Sequence, residues 1–136
     1  MNKKISLLGL DFDNISIDEV IESLLSRHPH EAFAYVVTPN VDHFTRLRKN
    51  PSLMKIYGDA FLCLLDSRLL YKILESLNRP RPNVVTGADL AMQLLKKLNG
   101  QHVAIIRSKN FQIAFESRSE DVLRFHEVTL GKCQTA

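Results

Sequence analysis

The feature that most constrains this chain is a change of hydrophobic period within three residues. In Ala32 to His43, AFAYVVTPNVDH, an apolar run ends at Val37 and Thr38-Pro39-Asn40 follows. Val41, Phe44 and Leu47 then recur at helical spacing. Asn40 carries a side-chain oxygen that can cap the helix, and Pro39, which has no N–H, leaves no donor unsatisfied just before it. A strand that passes through a polar turn into a helix is the building unit of open α/β sheets, whose ligand sites lie at the carboxyl ends of the strands. Thr38, Asn40, Asp42 and His43 are polar groups gathered at such an end. This stretch is expected to form the floor of an active site.

The same switch recurs. Phe61 to Leu65 is fully apolar and ends in Asp66-Ser67-Arg68, after which Leu69, Leu70, Ile73, Leu74 and Leu77 repeat at helical spacing. A carboxylate, a hydroxyl and a guanidinium are thereby delivered to a helix start, where anions are favoured. Asn78 to Asn83, NRPRPN, cannot be helix and reads as a loop. Thr86 then caps a third helix with Asp89 at its third position, and Leu90, Leu94, Leu95 and Leu98 form its buried stripe up to Asn99-Gly100.

The rest of the chain fits around these units. Ile5 to Leu10 reads as a strand and Asp11 to Asn14 as a turn. Ser16 and Glu19 form a capping box, Ile15 and Val20 a hydrophobic staple, and Val20, Ile21, Leu24 and Leu25 one buried face of a helix that ends near His28-Pro29-His30. Asn50-Pro51 starts a further helix with Leu53, Met54 and Tyr57 inward and Gly58 closing it. His102 to Ile106 is a third apolar strand. Phe111 to Phe115 fits helix or strand, and Val122 to Leu130 a final strand. Strands alternating with amphipathic helices predict an α/β, Rossmann-like domain: a mostly parallel sheet with helices on both faces, complete or cut short. Residues 1–106 form its core, and 107–136 a divergent or truncated C-terminal segment of the same domain.

Composition narrows the partners. A formal charge of +3, from 18 Lys and Arg against 15 Asp and Glu, suits phosphate ligands without indicating nucleic acid. Two cysteines cannot build a disulfide framework, and Cys63 inside an apolar run reads as a reduced, buried thiol of a cytoplasmic chain. The longest apolar run, Ala60 to Leu65, is far short of a membrane span, and the apolar stretch after Lys4 stops at Asp11, too early for a signal peptide. With no Cys/His/Asp cluster at ligand spacing, no metal site is expected. Neither a Gly-rich dinucleotide fingerprint nor a P-loop is present. Asp66 has two readings: a carboxylate that caps the following helix, or a catalytic base. His43 suits a structural hydrogen bond better than catalysis. His28, His30, Arg79 and Arg81 read as solvated groups, the arginines with contact to anionic lipid as their alternative.

TPNVDH (38 to 43), the apolar strand ending in Asp66 and VTGADL (85 to 90) occur in this order and at similar spacing in the bacterial WecG/TagA/CpsF glycosyltransferases, also called family 26. The opening LLGLDFDNISIDEVIE (7 to 22) is similar too. The resemblance covers about residues 5 to 106. It implies transfer of a hexose, of N-acetylmannosamine type or related, from a UDP-sugar to a polyprenyl-diphosphate-linked acceptor. The setting would be cell-surface polysaccharide biosynthesis, such as teichoic acid or capsule, on a cytoplasmic enzyme peripheral to the inner membrane face and free of metal or other cofactors. It further implies Asp66 as catalytic base, Thr38 and Asn40 as pocket residues, and Thr86, Gly87 and Asp89 as a wall of the donor site.

The chain departs from the family pattern in three places. Many members have Asp-Gly where this chain has Asp66-Ser67, and an arginine proposed to bind phosphate where it has Val84. Arg68 is then the residue placed to compensate. After the strand matching Val103 to Ile106, members usually show a glycine-containing loop and further α/β structure; here Arg107-Ser108-Lys109-Asn110 follows, and the remaining sequence has no match. A premature end, from a change of reading frame, is the expectation. The alternative function is a catalytically silent α/β module that binds a nucleotide or a partner, and a missing sheet neighbour would favour homo-oligomers.

Overall fold

Along each central strand, side chains alternate between two apolar layers, and this alternation builds the domain. A computed structural model describes residues 3–28, 30–98, 103–107 and 125–129. The chain forms two compact units, Met1–Leu94 and Leu95–Ala136.

In the first unit, β1 (Lys4–Leu7) and β2 (Leu10–Asp13) make an antiparallel hairpin, with Ile5 opposite Phe12 and Leu7 opposite Leu10. α1 (Ile17–Leu25) follows, then β3 (Val36–Val37), α2 (Val41–Lys49), a 3₁₀ turn (Pro51–Leu53), α3 (Met54–Gly58), β4 (Leu62–Cys63), α4 (Arg68–Ser76) and α5 (Gly87–Lys97). β3 and β4 pair in parallel, and their ladder runs beyond the two matched residues. The N–H groups of Phe61, Leu64 and Asp66 donate to the carbonyls of Tyr35, Val37 and Pro39 at 2.9, 2.9 and 3.1 Å. A third segment joins by a parallel bridge between Leu65 and Val84, with Val85 N–H donating to the Leu65 carbonyl at 3.0 Å.

Because strand side chains alternate, Val36, Leu62, Leu64 and Val85 fall on one face and pack with Ile15, Val20, Ile21 and Leu90 from α1, its entry and α5. Val37, Cys63, Leu65 and Val84 fall on the other, against Leu10 and Phe12 of the hairpin, Phe44 and Leu47 of α2, and Met54, Tyr57 and Leu70. Helices therefore cover both faces of a parallel sheet, as expected of an α/β domain. In the second unit β5 (Val103–Arg107) and β6 (Phe125–Thr129) pair in parallel, Val103 opposite Phe125. This agrees with two of the expected strands. The segment Phe111 to Phe115 and the end of the third helix at Asn99-Gly100 lie outside the described residues.

The capping signals are realised atom by atom. Ser16 Oγ accepts the Glu19 N–H while Glu19 Oε2 accepts the Ser16 N–H at 2.7 Å, and Ile15 and Val20 are both buried. α4 ends in a Schellman motif: Asn78 takes a left-handed φ of 53°, and the Asn78 and Arg79 N–H groups donate to the carbonyls of Glu75 and Leu74.

Several expectations are corrected. The apolar stretch Ile5 to Leu10 is two strands, because Leu8 (φ 52°) and Gly9 (φ 84°) both adopt the left-handed region of a two-residue hairpin turn. The organising strand shrinks to Val36–Val37, and Phe33 is 90% exposed. Leu25, Leu69, Ile73 and Leu77 are exposed, so the stripe on α4 is narrower than its leucines suggest. Gly58 does close α3, as its last residue, and Asp59 follows it in right-handed conformation. Arg81 is not a solvated group: it pairs with Glu75 at 2.8 Å and lies over the Tyr71 ring at 5.0 Å.

The hairpin is held to the sheet by a buried carboxylate. Asp13, 4% exposed, accepts the Cys63 N–H through Oδ2 at 3.0 Å, and Lys4 Nζ stands 3.7 Å from its Oδ1. Burial first, and then the neighbouring Asp13, push the Cys63 thiol up to about 12. Removing the acceptor leaves a buried N–H unpaired, so Asp13→Ala should cost about 1–3 kcal/mol in urea unfolding, with Asp13→Asn much milder. In a Cys133→Ser background, Cys63 should resist alkylation at pH 8 until the chain is unfolded, because the reactive thiolate is not populated in the fold. The Ser16 backbone N–H and then its hydroxyl hold Glu19 below its ordinary carboxylate value of 4.5. Stability from this box is thus present above pH 4.5 and lost as pH falls through the lowered value. Thermal melts of Glu19→Gln should show that dependence flattened.

Candidate active site

The carboxyl ends of the parallel segments lead directly into helices, so their polar residues are fixed by backbone on both sides. At the first end Asn40 caps α2: its Oδ1 accepts the N–H groups of Asp42 and His43 at 3.0 and 3.3 Å. Pro39 is fully buried beneath it. At the second end the cap of α4 is Ser67, whose Oγ accepts the Leu70 N–H at 3.1 Å. Asp66 therefore does not cap this helix, which corrects one of its two readings. At the third end Thr86 Oγ1 accepts the Asp89 N–H at 3.1 Å and donates to Asp89 Oδ2 at 2.7 Å.

These ends converge on Gly87. Its N–H donates to Asp66 Oδ2 at 3.0 Å, so α5 offers its first N–H to the carboxylate rather than to a cap. A methyl group built on Gly87 would sit 2.9 Å from Thr38 Oγ1 and 3.5 Å from Asp66 Oδ2. The glycine is required here by close approach, with three strand ends meeting within one side-chain length. Thr38, Asp66 and Gly87 thus form one cluster, and Asn40, Thr86 and Asp89 stand on the adjoining caps. Arg68, 79% exposed along its side chain, reaches within 3.7 Å of Asp89 Oδ2. All seven residues singled out in the sequence, Thr38, Asn40, Asp66, Arg68, Thr86, Gly87 and Asp89, lie at these three helix starts.

A cleft of about 580 Å³ opens beside Thr86 and Asp89, with Ser16, Tyr71, Asn83, Val84 and Gln93 in its walls. Its size is that of a small-molecule site, and Tyr71 and Gln93 carried no signal in the sequence, since both sit at ordinary positions of helices. His43 is engaged structurally: Tyr57 Oη and His43 Nδ1 are 2.8 Å apart, with the rings edge to face. Among the described residues no group of three or more His, Cys, Asp or Glu side chains could hold a metal ion.

Residues 5–110 match the family model described as the glycosyl transferase WecG/TagA/CpsF family. The chain belongs to this family. No curated protein matches it. Membership agrees with the resemblance carried by the three motifs, and it assigns the chain to glycosyltransferases of cell-surface polysaccharide synthesis. The residues that converge on Gly87 all fall inside the matched span, as does every helix of the first unit. No helix among the described residues is long and apolar enough to cross a membrane.

The crowding at Gly87 gives a direct test. Gly87→Ala must displace the Thr38 hydroxyl or the α5 start, at a cost of about 1–3 kcal/mol. Urea unfolding should report that loss, while circular dichroism still shows a folded chain.

Proposed function

We propose that the chain transfers a hexose, of N-acetylmannosamine type or related, from a UDP-sugar to a polyprenyl-diphosphate-linked acceptor in teichoic-acid or capsule synthesis. Attack of an acceptor hydroxyl on the anomeric carbon needs a base for the hydroxyl proton and positive groups for the departing diphosphate. Asp66 fills the first role. Its Oδ2 is oriented by the Gly87 N–H, which leaves Oδ1 as the atom to take the proton. The starts of α2, α4 and α5 gather at this end of the sheet, and oriented N–H groups at helix starts favour phosphate oxygens. Arg68 adds a charge next to Asp89, in place of the arginine that many members carry where this chain has Val84.

The observation that carries this reading is the meeting of Thr38, Asp66 and Gly87 at one point, from segments far apart in sequence. Thr38 and the Nδ2 group of Asn40, whose Oδ1 is committed to the cap, bind the sugar, and Thr86 and Asp89 line the donor side. The setting is the cytoplasmic face of the inner membrane, with the enzyme attached peripherally, alone or as a homo-oligomer, and without a metal.

Asp66→Asn keeps the acceptor for Gly87 N–H but cannot take a proton. It should retain UDP affinity within about threefold and lose sugar transfer by 10²–10⁴-fold in a radiolabelled assay. Full turnover in this variant would remove Asp66 from the chemistry. Arg68→Ala should weaken UDP binding. A folded wild-type chain blind to UDP would instead identify a silent module.

A further inference from the structure

The two helix layers that enclose the sheet differ in charge. Within the first unit, α1 and the part of α5 up to Leu94 carry Asp18, Glu19, Glu22 and Asp89, and no lysine or arginine. α2, α3 and α4 carry Arg46, Arg48, Lys49, Lys55, Arg68 and Lys72 against Asp42 and Glu75. Much of that positive charge is uncompensated. Lys55 pairs with Asp59 at 2.9 Å and Arg68 approaches Asp89. Arg46, Arg48, Lys49 and Lys72 make no ion pair among the described residues, and all four are exposed.

The basic layer also exposes apolar side chains. Leu69, Ile73 and Leu77 recur every four residues along α4 and its cap, and all three are exposed, so they form one stripe with Lys72 beside it. Val41 of α2, Ile56 of α3 and Leu8 at the hairpin tip are exposed as well. Leu8, Val41, Arg48 and Leu70 line one cleft of about 490 Å³, so the hairpin tip, α2 and α4 present a joined surface. Leu8 holds its exposed place at φ 52°, a conformation that is costly for a leucine. On the acidic layer, among the described residues, the large exposed apolar side chains are Leu25 and Met92 alone. Basic and apolar groups thus share one face. Two copies pressed together by this face would oppose like charges, and the acidic face has little apolar surface to offer it. An anionic bilayer supplies both complements, since phosphates meet the cations and the boundary below them takes up leucines.

We propose that the layer of α2, α3 and α4, with the hairpin tip, is the surface on which the first unit lies against an anionic lipid bilayer. The assignment rests on the peripheral attachment given under Proposed function and names the face that makes it. α4 starts directly after Asp66-Ser67, so this orientation brings the candidate site to the edge of the bilayer, with the acidic α1 turned away from it.

The test is co-sedimentation of the full chain with vesicles, with UDP binding as an independent measure of the donor reading. Phosphatidylcholine vesicles containing about 30% phosphatidylglycerol should bind the chain at least tenfold more tightly than phosphatidylcholine alone. That preference should shrink in about 0.5 M NaCl. Arg48→Glu combined with Lys72→Glu should weaken binding at least tenfold, and so should Leu69→Ser combined with Ile73→Ser. These four side chains are exposed, so circular dichroism and UDP affinity should stay unchanged in both double variants. Glu22→Lys on α1 adds positive charge to the opposite layer and should leave vesicle binding within about twofold. Equal binding to the two kinds of vesicle, full binding by either double variant, or a tenfold gain in Glu22→Lys would each overturn the assignment. A wild-type dimer in sedimentation velocity that the Leu69→Ser and Ile73→Ser pair dissolves, with vesicle binding untouched, would overturn it in favour of contact between two copies. A wild-type chain that binds vesicles as expected but not UDP would count against the donor reading and leave the surface standing.

Discussion

The hydrogen bond from Gly87 N–H to Asp66 Oδ2 is the contact on which the arrangement of the site depends. It joins the end of the central strand to the start of α5, at a position without a side chain, where Thr38 Oγ1 comes within 2.9 Å of the Cβ site. Each participant is held from elsewhere. Thr38 precedes a proline and a capped helix, Asp66 is fixed by its own N–H bond to the Pro39 carbonyl, and Gly87 follows the cap Thr86. A carboxylate oriented in this way by backbone loses little freedom when a reacting group arrives.

The two-faced sheet explains why the remainder of the unit is built as it is. Alternating residues of the strands go to different layers, so the α1–α5 layer and the layer of hairpin, α2, α3 and α4 share a backbone and few side chains. Among the described residues the hairpin has no hydrogen-bonded strand partner in the parallel ladder. It is tied in by Asp13, whose carboxylate reaches the Cys63 N–H, and by Asn14, whose Oδ1 accepts the Asn83 N–H at 2.9 Å. Polar anchors of this kind hold the hairpin on the layer of α2, α3 and α4, with Gly9 against the Met54 side chain.

Helix starts were readable from the sequence because their determinants are local. The Ser16–Glu19 box, the Asn40 cap and the Thr86–Asp89 pair each lie within a few residues, and each is present as expected. The hairpin was not readable, since Leu8 is no turn former and sits within an apolar run, yet it takes a left-handed φ of 52° beside Gly9. Leu69, Ile73 and Leu77 have helical spacing but lie exposed, because hydrophobic period locates a helix more surely than it measures the width of its buried face. The candidate residues were legible one by one as polar groups at strand ends. That Asp66 accepts the N–H of Gly87, and that Thr38 stands against the same glycine, depend on contacts across the fold that no short stretch encodes.

The missing side chain at position 87 also limits how the sequence can drift. Because the Thr38 hydroxyl occupies the space a methyl group would need, changes at the two positions are not independent. An alanine at 87 costs least once position 38 has given up its hydroxyl, whereas position 38 can shrink with 87 left as glycine. Substitutions at this junction therefore have a favoured order, in which remodelling of this end of the sheet starts more cheaply at residue 38 than at residue 87.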